Sequence, residues 1–218
     1  VMPQLSNAFS KNDYIKVNNL LRYSIGFNMS IGLPCAVGMG MLAQEIIYII
    51  AGPAYYGAEV SLRILSIAMA ISLFWGIVMN MILLPAGKDK PCLWACVISA
   101  IVNIVLNLFF IPRWGYIAAS ITTMLSQVIG FLICIPFVDR RITIQNKKGL
   151  LLGPIIGCIV IAAYLMVCKN ILYNTYAILL IGVLGSFILY FIVQILLKND
   201  WITEIINNIK NKHRRGNI

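Results

Sequence analysis

Charge is what this sequence has least of. Only 11% of its 218 residues are Asp, Glu, Lys or Arg, against roughly 25% in an ordinary soluble domain. Acids are scarcest, at seven, and there is a single histidine, His213. That histidine lies in the basic Lys212-His213-Arg214-Arg215 tail, so no Ser-His-Asp set and no His-based metal centre are expected within the apolar runs, and no glycine-rich phosphate loop is present. The six cysteines do not read as a secreted disulfide framework. Cys35, Cys96, Cys134, Cys158 and Cys168 lie inside apolar stretches and Cys92 sits at the edge of one. Cys92 and Cys96 are one helical turn apart, but no histidine accompanies them, so no metal site and no cofactor are expected. No secretory leader pattern opens the chain. It begins Val1-Met2-Pro3 and reads as the C-terminal part of a longer protein.

What is present is apolar sequence in long runs. Hydrophobic residues make up 61% of the chain and mean hydropathy is +0.89. Six stretches of 20 to 28 residues carry no charge, and a helix needs about 20 apolar residues to cross the roughly 30 Å hydrocarbon core. A soluble enzyme is thereby excluded. The expectation is an all-α polytopic transmembrane bundle with spans near 23–50, 62–85, 92–111, 115–138, 150–168 and 176–197. Pro34 is expected to kink the first span, Gly52 to end it, and Pro112 with Gly115 to form a tight turn between the third and fourth.

The 17 basic residues sit in the gaps rather than on one face, which argues against nucleic acid as a partner and for the lipid bilayer. They also alternate. Fourteen fall on one side, in groups at 11–22, 88–90, 140–148 and 198–215, and only Arg63, Arg113 and Lys169 on the other. By the positive-inside rule both ends of this chain face the cytoplasm. In the tail Trp201, Ile202, Ile205, Ile206 and Ile209 share one helical face, while Lys210, Lys212, Arg214 and Arg215 add positive charge. That pattern suits a basic amphipathic helix on an anionic membrane surface.

Polar residues inside the spans are few. Glu45 is the one embedded acid, read either as a coupling-ion or proton site or as a residue at the membrane edge. Asn103 and Asn107 lie one turn apart with Ser99, and Thr123 and Gln127 share a face with Ser120. Asn80 ends a stripe through Ala68, Ser72 and Gly76, and Gly32, Ala36 and Gly40 form another. Each stripe alone reads as packing between helices. Together Asn80, Asn103, Asn107, Thr123 and Gln127 are candidates for lining a hydrated interior, Asn107 more directly than Asn103.

Several of these segments resemble one family in its order. Leu33-Pro34, Ala43-Gln44-Glu45-Ile46-Ile47 and Ala51-Gly52-Pro53-Ala54-Tyr55 are followed by Gly87-Lys88-Asp89-Lys90 and then Asn103-x-x-Leu106-Asn107. Ile111-Pro112-Arg113-Trp114-Gly115-Tyr116 and Ala118 to Thr123 complete the series. Together they resemble the oligosaccharide-lipid flippases of the multidrug/oligosaccharidyl-lipid/polysaccharide exporter superfamily. The resemblance implies the C-terminal lobe of a two-lobe alternating-access transporter over 1–140, two additional helices over 141–198 and a cytoplasmic tail over 199–218. It implies as substrate an undecaprenyl-pyrophosphate-linked glycan unit of O-antigen, capsule or exopolysaccharide, moved across a bacterial inner membrane. The N-terminal lobe would then be a partner supplied from elsewhere in the protein. The family's cationic substrate residues have no counterpart here, because no span holds Lys or Arg at depth. Two other readings remain open. One is a drug/cation antiporter or peptidoglycan-precursor flippase of the same superfamily, and the other is a membrane-embedded sugar polymerase or acyltransferase.

Overall fold

A computed structural model describes residues 1–143 and 147–197; the amphipathic tail with Trp201, Lys210, Lys212, Arg214 and Arg215 lies outside the described residues. The described chain is helical throughout, with no strand among those residues. Seven α-helices are assigned: α1 Met2–Ser10, α2 Tyr14–Met41, α3 Ala43–Ala51, α4 Ala58–Gly76, α5 Asp89–Cys134, α6 Lys147–Ile171 and α7 Thr175–Leu196. A π-helical segment, Ile77–Leu83, continues α4. Local chemistry sets several ends. Asp13 Oδ1 accepts from Lys16 N at 3.0 Å to cap α2, and the Asn174 side chain accepts from Tyr176 N and Ala177 N to cap α7.

At about 1.5 Å per residue the 46 residues of α5 would reach roughly 69 Å if straight, more than twice the hydrocarbon thickness. They do not run straight. Gly115 holds φ 57 and ψ −138, a non-helical conformation that glycine adopts without a Cβ clash. Beyond it the chain folds back, so that Thr122 meets Asn107 and Gly130 meets Ser99. α5 is therefore a helical hairpin and supplies two spans, separated at the Pro112–Gly115 turn. By length and apolarity α4 with its π segment, α6 and α7 each supply one crossing and the α5 hairpin two; the bent α2–α3 pair adds a sixth where it is counted as a single span.

The first span differs from expectation. α2 passes through Pro34 without interruption and breaks at Leu42, where α2 and α3 meet at 71°. Leu42 itself is buried with Ile161, Leu165, Ile178 and Tyr190. The bend follows the packing of α6 and α7 against this corner rather than the missing proline N–H. The whole forms a row: α7 packs on α6, α6 on α2, α2 on α4, and α4 on the α5 hairpin. α3 reaches both α4 and α7, and α1 closes against α2 and the π segment through Leu5 and Ala8.

Candidate functional site

The polar residues of the third and fourth spans meet inside the α5 hairpin. Asn107 Nδ2 donates to Asn103 Oδ1 at 3.0 Å, and the Thr122 hydroxyl is shared between Asn107 Oδ1 and the Ala119 carbonyl. Thr123 instead returns its hydroxyl to Ala119 O at 2.8 Å, one turn back on its own helix. Asn103 and Asn107 are both half-buried, as are Thr123 and Gln127, while Asn80 is exposed on the π segment. The structure thus joins Asn103 and Asn107 into one network across the hairpin and leaves Asn80, Thr123 and Gln127 outside it. The oxygens of the network are neutral. They can accept hydrogen bonds from hydroxyls or approach a small cation, but they bring no positive charge to a phosphate.

Glu45 lies elsewhere, at the start of α3, with its side chain 7% exposed. Lys169, in the last turn of α6, reaches it with Nζ 2.9 Å from each carboxylate oxygen. This pair joins two different helices, whereas Glu59–Arg63 and Asp139–Arg141 are local. The alternation of basic residues along the chain sets Lys169 among the three on the outer side. The available signal was that one embedded acid and one isolated cation both sit near the same end of their spans. Low-dielectric surroundings favour exactly such opposites pairing.

A second feature had no sequence signature. A cavity of about 580 Å³ opens between α2, α6 and α7, lined by Pro34, Cys35, Leu42, Leu165 and Phe187 among other apolar groups. Three buried hydroxyls, those of Ser30, Ser186 and Tyr190, stand on its wall. Its residues come from segments up to about 160 positions apart, so no local pattern announces it. The turn residues fall as follows: Gly52, at φ 86, ends α3, Pro112 lies within the first arm of α5, and Gly115 reverses it. No cluster of three or more His, Cys, Asp or Glu able to hold a metal occurs among the described residues.

Comparison with known proteins gives a consistent picture. The family model described as "Lipid II flippase MurJ" matches residues 1–192. The chain is 22% identical over 200 residues to the "Probable low-salt glycan biosynthesis flippase Agl15" of Haloferax volcanii, covering 90% of this chain and 42% of that protein. It is 31% identical over 127 residues to the "Uncharacterized membrane protein MJ1068" of Methanocaldococcus jannaschii, covering 57% of this chain and 25% of that one. The chain therefore spans less than half the length of the curated relatives it matches.

Proposed function

Because this chain belongs to the family of the lipid II flippase MurJ, we propose that it forms one lobe of a transporter that moves a polyprenyl-pyrophosphate-linked glycan across the cytoplasmic membrane. The observation that carries the reading is the family match across residues 1–192. The apolar helices long enough to cross a membrane support it, and so does the pairing of an apolar cavity between α2, α6 and α7 with an uncharged polar network in the α5 hairpin. A lipid-linked sugar has both a hydrocarbon tail and a hydroxyl-rich head. The activity is transport and breaks no covalent bond.

Residues 1–140 act as the lobe proper and 141–198 as two added helices. Alternating access requires a second lobe to move against this one. The charge of the substrate argues the same way. A pyrophosphate carries at least two negative charges, and taking unpaired charge into hydrocarbon costs many kcal/mol. Of the cations here, Lys169 is held by Glu45, and the rest lie at span ends. The compensating cations must come from the N-terminal lobe. Both ends of this chain face the cytoplasm.

The finer substrate is a glycan unit for surface polysaccharide, as with O-antigen, capsule or exopolysaccharide, carried on undecaprenyl pyrophosphate. A second reading, the peptidoglycan precursor lipid II, is favoured by the description of the matching family model. Expression together with an N-terminal lobe in two depletion strains separates them. The first reading expects surface polysaccharide to return while cell-wall synthesis stays blocked. The reverse outcome assigns lipid II, and rescue of neither removes the flippase reading.

A further inference from the structure

Three connections meet at one end of the bundle: the turn between α1 and α2, the turn at 84–88 after the π segment, and the segment 137–142 after the hairpin. They enclose a cavity of about 430 Å³. Its polar wall is built by Ser6, Ser10, Asn12, Lys88, Asp139 and Arg141, with Phe9 and Ile142 adding apolar surface. Asp139 is already neutralised. Arg141 donates to it from Nε and Nη2, at 3.1 and 2.8 Å, and lies over the Tyr14 ring at 4.4 Å, while Tyr14 donates its hydroxyl at 3.2 Å. These bonds hold the Asp139 carboxyl well below the usual carboxylate range.

Lys88 is in a different state. Its Nζ donates to the Phe137 carbonyl at 2.7 Å and has no acid partner among the described residues, which leaves two N–H groups for another acceptor. Asn12 turns the chain at φ 53 and places its exposed carboxamide on the cavity wall. Within its lining the cavity therefore carries one positive charge, that of Lys88, without an acid partner among the described residues, together with an apolar edge near the ends of the spans. On the adjoining turns exposed Lys11 and Arg140 carry the same sign and exposed Asp13 and Asp89 the opposite one, so the charge facing the cavity is that of Lys88 itself.

We propose that this cavity binds the phosphodiester headgroup of an anionic phospholipid, with Lys88 and Asn12 donating to the phosphate and the apolar edge meeting the glycerol end of the tails. A single net positive charge matches a phosphodiester monoanion better than a dianion. That the leaflet is the cytoplasmic one rests on the orientation proposed above; the binding itself does not.

The test uses the full 218-residue chain in mixed micelles, with thermal unfolding followed as lipid is added. Phosphatidylglycerol should raise the unfolding temperature and phosphatidylcholine should not. K88Q and N12G should each weaken the apparent phosphatidylglycerol affinity about five- to tenfold. N12G keeps the backbone freedom the turn needs. K90Q removes an equal charge from the exposed first turn of α5, outside the cavity, and should leave the affinity unchanged. Equal losses in K88Q and K90Q would mean diffuse surface attraction and overturn the site. A shift reproduced at matched concentration by glycerophosphoglycerol, the same phosphodiester without its tails, would overturn the lipid assignment in favour of a water-borne anion. Micelles have no sidedness, so failure here leaves the proposed orientation and transport activity standing, and topology reporters can fail without touching this result.

Discussion

Glu45 and Lys169 show what a single buried charge demands in this protein. Removing one partner of a buried pair typically costs about 3–5 kcal/mol, because the other charge is left without compensation. Lys169 is a quarter exposed, so water offsets part of that, and on the order of 2–3 kcal/mol is expected for E45Q or K169M alone. The double variant E45Q/K169M should be less destabilised than the two single losses added together. A thermal-unfolding double-mutant cycle measures the difference, and strict additivity would show that the pair contributes nothing as a pair. Asn107 makes a gentler case. N107L removes both the bond to Asn103 and the acceptor facing Thr122. It should cost about 1–2 kcal/mol, with T122V costing less because only one bond is lost. If N107L unfolds at the same temperature as the parent chain, the network is not structural, and a role towards solute or ion is what remains.

At the scale of elements, close approach between helices is set by small residues that meet large ones. A Cβ built on Gly130 would lie 2.6 Å from the Trp75 ring and 2.7 Å from Ser99 Oγ, whereas one on Gly38 meets nothing within 4 Å. Both glycines are helical. G130A should therefore destabilise by roughly 1–3 kcal/mol through overpacking at the α4–α5 contact. G38A should be neutral or stabilise by up to about 1 kcal/mol through helix propensity. Comparing the two unfolding midpoints checks this, and a G130A chain as stable as G38A would place α4 and α5 further apart than described. The hairpin turn was legible because Pro112 and Gly115 interrupt an otherwise apolar run beside the isolated Arg113. The bend at Leu42 and the π segment around Asn80 were not legible. Leu42 is no breaker, and its bend follows from the packing of remote helices, whereas Pro34, the visible breaker, is absorbed within α2.

At the scale of the whole molecule, the all-α bundle class and its apolar spanning helices were readable because hydrocarbon permits only closed backbone hydrogen bonding, which ties each span to apolar length. The site was readable only in part. Asn103 and Asn107 stood out as amides in apolar sequence. The Glu45–Lys169 pair and both cavities depend on contacts between segments far apart in the chain. Orientation is checked independently by reporter fusions. Those after Lys90 and Lys148 should report cytoplasm and those after Arg113 and Lys169 the outside, and a cytoplasmic signal from the Pro112–Gly115 turn would break the hairpin assignment. The central claim is that this lobe carries a polyprenyl-linked glycan only in concert with a second, cation-bearing lobe. The most direct measurement is glycan-lipid translocation in proteoliposomes, with a labelled polyprenyl-pyrophosphate glycan on one leaflet and its exposure on the other followed over time. The account predicts background exposure with residues 1–218 alone and exposure well above background once an N-terminal lobe is reconstituted with them. Translocation by residues 1–218 alone would contradict it.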